Sequence, residues 1–188
     1  VFDTKQIAET LSSTTLILPA KNEATNLATL LPRLRQAVPD AEILVVDDGS
    51  DDGTAELCQQ HGVRVLRHPH SLGNGAAIKT GARHATGDLL VFLDADGQHD
   101  PADIPRLLAK MRDGYEMVVG ARQADTQASL GRRLANHLYN RLASLMTGYP
   151  IADLTSGFRA VRARHFRKFL YLLPNGFSTP TTTTLAFL

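Results

Sequence analysis

The chain has 188 residues, of which 43% are hydrophobic and 21% charged, with a formal net charge of +1 and a single cysteine. This balance suits one soluble globular domain with a sizeable core, and no apolar run approaches the ~20 residues needed to cross a bilayer. The lone Cys58 excludes an intrachain disulfide, and the near-neutral charge gives no ground for a nucleic-acid partner.

The opening segment VFDTKQIAET lacks the basic start and apolar centre of a signal peptide, so the expected compartment is the cytoplasm. From there, short β-branched runs alternate with amphipathic ones. Residues 14–19 (TTLILP) precede the helical pattern of 26–38, 42–48 (EILVVDD) that of 54–62, 63–69 (VRVLRHP) that of 75–87, and 88–96 (DLLVFLDAD) that of 101–114. A further strand is expected at 116–122 (EMVVGAR), a long helix over 131–146, a short strand at 158–161 and a helix over 163–172. This βαβα order predicts an α/β fold with a mostly parallel central sheet covered by helices on both faces. The chain then runs into NGFSTPTTTTLAFL with no polar tail, which predicts a single domain over 1–188 that is incomplete at its C-terminus.

In such sheets ligands bind beyond the carboxyl ends of the strands. One rim then gathers residues 19–23, 47–52 and 94–100. Charge is distributed unevenly along the chain. Residues 1–100 carry 8 Lys and Arg against 14 Asp and Glu, whereas 101–188 carry 12 against 5. Such polarity suits a cation site beside an anion-binding surface.

Asp94 and Asp96 end an apolar strand two residues apart, where side chains in an extended segment point the same way. Two converging carboxylates repel unless a cation lies between them. Mg²⁺ or Mn²⁺ is the natural ion, being held by one or two carboxylates plus substrate phosphates. Asp100 reads instead as the cap of a helix opened by Pro101. Asp51 and Asp52 read as first-turn helix charges, and Asp47 and Asp48 as ligand-binding candidates.

Other readings fit less well. A calcium loop counted from Asp48 has Gln59 where a bidentate glutamate is required. The loop SLGNGAAIKTGA places Ile78 where both a dinucleotide fingerprint and a P-loop need glycine. It remains a glycine-rich turn opening a helix, with Lys79 one turn in, and either binds an anion or is a simple turn. A strand ending in DxDG resembles the opening motif of haloacid dehalogenase-type phosphatases, but no downstream acidic pair follows, and Gln98 departs from that pattern.

Five segments in order carry a closer resemblance: LILPAKNEATNL, ILVVDDGSDDGT, LGNGAAIKTGARHATGDLLVFLDADGQHDP, VVGAR and DLTSGFRAVR. The chain resembles family 2 glycosyltransferases of the GT-A fold, in their dolichyl-phosphate mannose synthase-like or polyprenyl-phosphate branch. The resemblance implies a Rossmann-like three-layer sandwich. It also implies inverting transfer of a hexose from a UDP or GDP sugar to a polyprenyl phosphate, in glycan or cell-envelope biosynthesis.

On the same resemblance, Pro19, Ala20, Asn22, Glu23 and Asp47 or Asp48 surround the nucleoside. Asp94, Ala95 and Asp96 form the DxD that holds Mg²⁺ or Mn²⁺ against the diphosphate, with Gln98 as an added ligand. A lipid phosphate is already an anion, so the acceptor needs cations more than a base. Arg122 and Arg133 are the preferred pair for it, with Arg132 and Arg159 as further candidates, Arg159 alternatively pairing with Asp153.

The helix from Gly131 aligns Leu130, Leu134, Leu138, Leu142 and Leu145 in one stripe beside Arg133, His137 and Arg141. Either the leucines pack on the core or the helix lies on an anionic membrane surface. The resemblance favours the second, and places the protein at the cytoplasmic face of a membrane. Two alternatives stay open at this stage: a family 2 enzyme acting on a carbohydrate hydroxyl, and a noncatalytic nucleotide-sugar-binding module.

Overall fold

The structure is a computed structural model that describes residues 13–121, 130–176 and 178–188, with residues 130–138 described by their backbone alone. Strand β1 (Thr14–Ala20) leads to helix α1 (Ala24–Ala37), β2 (Glu42–Asp47) to α2 (Thr54–Gln60), and β3 (Arg64–Arg67) to α3 (Asn74–His84). Next come β4 (Leu89–Phe92), a 3₁₀ turn (Pro101–Asp103) running into α4 (Ile104–Arg112), and β5 (Met117–Val119). The chain continues through α5 (Leu130–Thr147), β6 (Arg159–Arg162), α6 (Ala163–Lys168) and α7 (Thr179–Phe187).

The described strands form one six-stranded sheet in the order β3-β2-β1-β4-β6-β5. Strands β1 to β4 pair in parallel, and β6 runs antiparallel to both β4 and β5. Register follows side-chain alternation. Leu16 and Leu18 of β1, Val45 of β2 and Val91 of β4 join Leu27, Leu31 and Leu34 of α1 and Ile104 and Leu108 of α4 on one face. Ile17, Leu44, Val46, Leu90 and Phe92 point the other way, against Ala77 and Ala82 of α3 and Phe166 of α6. A strand apolar on both faces must be covered twice, which gives the expected three layers.

The helix expected over 163–172 ends at Lys168, and the chain then turns. Helix α7 lies in a threonine run for which the sequence predicts no element. No described helix is long and apolar enough to cross a membrane.

Candidate active site

Strand order reverses at β1, which has β2 on one side and β4 on the other. That is the switch point at which open α/β sheets bind ligands. The ends of these three strands carry the acidic rim. Ala20 closes β1, and its carbonyl accepts the Asp48 N–H at 2.8 Å.

The loops after β1 and β2 are tied together by side chains. Asn22 sits at a positive φ of 57°, a conformation asparagine tolerates better than most residues. Its N–H donates to Ser50 Oγ at 2.9 Å, and its Oδ1 accepts the Asp51 N–H at 3.1 Å. The Glu23 N–H donates to Thr54 Oγ1 at 3.1 Å. Asp52 joins two helices, accepting the Ala24 N–H at the start of α1 at 3.0 Å and the Thr54 N–H at the start of α2 at 3.0 Å. It therefore acts where helix N-termini leave amides unpaired, as expected for a helix-start charge.

Asp47 is fully buried. Its Oδ1 accepts the Ser50 N–H at 2.8 Å, while Oδ2 has no hydrogen bond among the described residues and lies 3.3 Å from Arg67 Nε. Arg67 also lines a cavity of about 370 Å³ with Gly49, Ser50, His68 and Pro69. A buried carboxylate oxygen with spare capacity beside such a cleft is suited to a ligand N–H or O–H.

Asp48 is used differently. Oδ1 lies 2.7 Å from His68 Nδ1 and accepts the Leu72 N–H at 2.8 Å, while Oδ2 accepts from Ser71 Oγ at 2.7 Å and the Gly73 N–H at 2.9 Å. Burial pushes its pKa up, but these donors outweigh it and hold the carboxyl down at about 2. His68 Nε2 lies 3.0 Å from Thr80 Oγ1, so the histidine is clamped between β2 and α3. Asp48 thus anchors the 71–73 loop through both oxygens.

Lys79 turns away from the rim. Its Nζ donates to the Leu173 carbonyl at 2.9 Å and to Asn175 Oδ1 at 2.5 Å. At the start of α3 the Ala76 N–H donates to the Asn175 carbonyl at 3.2 Å. The glycine-rich turn is therefore a docking point for the chain's own residues 173–175 and for Thr179, which occupy the place considered for an anion.

Asp94 and Asp96 follow β4 on the rim. Ala95 between them is buried. Asp96 Oδ1 accepts the Gln98 N–H at 3.0 Å, which fixes the turn and leaves the Gln98 side chain exposed. The Asp94 side chain is 42% exposed, with Oδ2 4.0 Å from His99 Nε2. The His99 ring stacks on Phe158 with centroids 5.0 Å apart.

Gly157 comes up against Asp94, where an added Cβ would stand 2.9 Å from Oδ2. A glycine is what leaves this carboxylate room. Among the described residues no three His, Cys, Asp or Glu side chains converge as a metal cluster. Two hard carboxylates on an open turn, with space kept beside one of them, fit a divalent ion whose remaining ligands are phosphate oxygens and water.

Arg159 is 3% exposed and held internally. It donates to the Pro180 carbonyl at 2.8 Å, to Thr184 Oγ1 at 3.3 Å and to the Ser156 carbonyl. Burial pulls its guanidinium down to about 10, against the opposing pull of Asp153 and Asp94. It remains a cation near the carboxylates and ties α7 to the site, which removes it from the exposed acceptor candidates. Asp100 caps the turn opened by Pro101 as expected, accepting the Ala102 N–H at 3.1 Å, and pairs with Arg33 at 3.0 Å. Arg122 and the side chains of Arg132 and Arg133 lie outside the described residues.

Sequence reasoning missed Arg67, Gly157 and the buried role of His68. An isolated glycine just before a strand is a known sign of close approach and marks Gly157. Nothing in the sequence singles out Arg67 or His68.

The sequence profile described as Glycosyl transferase family 2 matches residues 15–170. An undecaprenyl-phosphate 4-deoxy-4-formamido-L-arabinose transferase of Enterobacter sp. is 39% identical over 168 residues, covering 84% of this chain and 50% of the relative. The protein of the same name in Klebsiella pneumoniae is 38% identical over 161 residues, covering 80% and 48%. The chain spans about half the length of these relatives.

Among solved structures, glucosyl-3-phosphoglycerate synthase from Mycobacterium tuberculosis with Mn²⁺, UDP-glucose and phosphoglyceric acid aligns with a TM-score of 0.73 at 20% identity, covering 96% of this chain and 67% of that one. Mannosyl-3-phosphoglycerate synthase from Rubrobacter xylanophilus gives 0.68 at 21% identity, covering 86% and 58%. At these identities the likeness shows a shared GT-A fold.

Proposed function

Since this chain belongs to glycosyl transferase family 2, we propose that it transfers a sugar from a nucleotide diphosphate donor, UDP or GDP, to a polyprenyl phosphate at the cytoplasmic face of a membrane, with inversion at the sugar carbon. The observation that carries this reading is the open Asp94–Asp96 turn at the sheet's switch point, with Gly157 leaving space beside Asp94. Family membership sets aside the phosphatase alternative. The relatives' names point to a modified arabinose, a pentose derivative, which becomes the first sugar to test ahead of the hexose expected from sequence.

Asp94 and Asp96, with Gln98, would hold Mg²⁺ or Mn²⁺, and the ion when bound stabilises the charge that grows on the leaving nucleoside diphosphate. The Mn²⁺ in the Mycobacterium structure supports such an ion. Pro19, Ala20, Asn22 and Glu23 border the nucleoside pocket, and Asp47 Oδ2 with Arg67 offers an acceptor and a donor to base or ribose. Asp48 and Lys79 serve this pocket indirectly, by fixing the 71–73 loop and the 173–175 segment.

Arg122 and Arg133 hold the acceptor phosphate in this reading. A phosphate monoester is already ionised near neutral pH, so positioning and charge replace a dedicated base. The test is transfer of labelled sugar from UDP- and GDP-sugars to detergent-dispersed prenyl phosphate. Arg133→Ala should raise the prenyl phosphate needed for half-maximal rate by roughly tenfold or more without weakening nucleotide binding. Equal loss of both would move Arg133 to the donor side, and no transfer to any prenyl phosphate would sink the acceptor assignment.

A further inference from the structure

Arg159 is a cation inside the protein, and the sheet decides what it faces. Along β4 and its continuation, Leu89, Val91, Leu93 and Ala95 belong to the core shared with α1 and α4, so Phe92 and Asp94 point to the opposite face. Along β6, Phe158 and Ala160 join that first core, while Val161 and Ala163 join the second. The same alternation turns Gly157 and Arg159 to the Asp94 face. The antiparallel register sets Phe92 opposite Arg159. Continued by two residues, it sets Asp94 opposite Gly157, in agreement with their contact. Arg159 and Asp94 are therefore a diagonal cross-strand pair, at the ~7–8 Å that a long side chain spans. Gly157, next along that face, has no side chain to stand between them.

The hydrogen bonds of Arg159 do not cancel its charge. They run to the carbonyls of Pro180 and Ser156 and to Thr184 Oγ1, all neutral acceptors, and Nε has no hydrogen bond among the described residues. A guanidinium keeps its proton in a protein, so a positive charge this deeply buried needs a carboxylate nearby. Asp153 and Asp94 are the two that act on it, each opposing the effect of burial. Asp153 is itself buried, and its Oδ1 accepts the Thr155 N–H at 3.1 Å and the Thr155 hydroxyl at 3.2 Å. The Asp94 carboxylate differs in being open to solvent, where an ion can reach it.

We infer that Arg159 is the resident counter-cation of the Asp94–Asp96 turn and makes divalent-ion binding there conditional on the nucleotide diphosphate. This rests on the reading that the two carboxylates hold a divalent ion. Together with Arg159 the two carboxylates leave a single negative charge, which a divalent ion alone would turn into a single positive one beside a buried guanidinium. A diphosphate with two negative charges reverses that excess, so ion and nucleotide bind together and the ion is weakly held once the nucleotide leaves. Without Arg159 the ion and the two carboxylates would neutralise one another with no nucleotide present. Arg159 acts through Asp94 and is a positioning residue.

The test is Mn²⁺ binding, read from the electron paramagnetic resonance signal of the free aqueous ion, with no nucleotide, with UDP and with GDP. The wild type should bind Mn²⁺ at least about tenfold more tightly with one of the two nucleotides than with none. Arg159→Gln removes the charge and should tighten nucleotide-free Mn²⁺ binding about tenfold or more. Arg159→Lys keeps the charge while giving up bonds to α7, so it should melt at a lower temperature yet bind Mn²⁺ as the wild type does. A folded Arg159→Gln with wild-type affinity for Mn²⁺ would overturn the proposal, and so would an Arg159→Lys that shifts as the glutamine variant does. The wild-type and lysine arms decide the question if the glutamine variant does not fold. Wild type that holds Mn²⁺ equally well with and without nucleotide overturns this role alone, whereas no Mn²⁺ binding under any condition overturns the carboxylate metal site with it.

Discussion

Gly157 lies against the Asp94 carboxylate, and its lack of a Cβ keeps a side chain from closing over Oδ2. The contact that an added methyl would make is with a side-chain oxygen, so the carboxylate can swing aside while the backbone stays. Gly157→Ala should therefore weaken Mn²⁺-dependent nucleotide binding by roughly 10- to 100-fold, the usual range for disturbing a group that orients a metal ligand, with little change in melting temperature. Calorimetric titration with and without Mn²⁺ reads this directly, and unchanged binding would separate Gly157 from the clamp. Asp48 makes a different prediction. Its folded pKa of about 2 lies below the ordinary 3.8, so the unfolded chain binds the extra proton and stability rises with pH through that interval. The contribution, about 2 kcal/mol, is complete above about pH 4 and lost as pH falls through about 2. Asp48→Asn should flatten the acid limb of a stability–pH curve, and a limb of unaltered slope would deny Asp48 its anchoring role. At this scale the sequence makes Asp94, Asp96 and the Asp100 cap legible, because strand ends and helix starts are marked locally. It does not distinguish Asp47 from Asp48, since the four donors that saturate Asp48 come from residues 68–73, about twenty positions away.

Strands and most helices are readable because β-branched runs and apolar periodicity are themselves the cause of the layers. Helix α7 is not readable, since threonine is a weak helix former. Its hydroxyls bond back along the helix instead, Thr183 Oγ1 to the Thr179 carbonyl at 2.7 Å and Thr184 Oγ1 to the Pro180 carbonyl at 3.0 Å. With Thr179, Thr183 and Thr184 buried, tertiary packing decides the conformation. That packing rests on Gly75, where an added Cβ would collide with the Pro174 carbonyl and Thr179 Oγ1. A backbone carbonyl cannot swing away, so Gly75→Ala should displace the 174–188 segment and cost about 1–3 kcal/mol. Urea denaturation gives the loss, and limited proteolysis should show new cleavage within that segment. Wild-type resistance to protease would mean that α7 docks independently of α3.

Taken whole, the chain carries most of its acid in its first hundred residues and most of its base in the rest, and Asp47, Asp48, Asp94 and Asp96 gather at the strand ends beside the β1 switch point. The charge asymmetry and the βαβα order are visible in the sequence. The contacts that join rim to C-terminal segment, Lys79 to Asn175 and Arg159 to Pro180, appear only in three dimensions because they connect distant parts of the chain. In the proposed function this rim binds a nucleotide diphosphate through a divalent ion held by Asp94 and Asp96. The most direct measurement is the thermal shift of the chain with UDP- and GDP-sugars, with and without Mn²⁺, in wild type and Asp96→Asn. Binding to the folded state at a hundred times Kd adds about 2.7 kcal/mol, which for a domain of this size is a shift of several degrees. Stabilisation by one nucleotide class, dependent on Mn²⁺ and lost in Asp96→Asn without a lower ligand-free melting temperature, is the predicted result. Equal stabilisation with and without Mn²⁺, or an Asp96→Asn variant that binds as the wild type does, would contradict it.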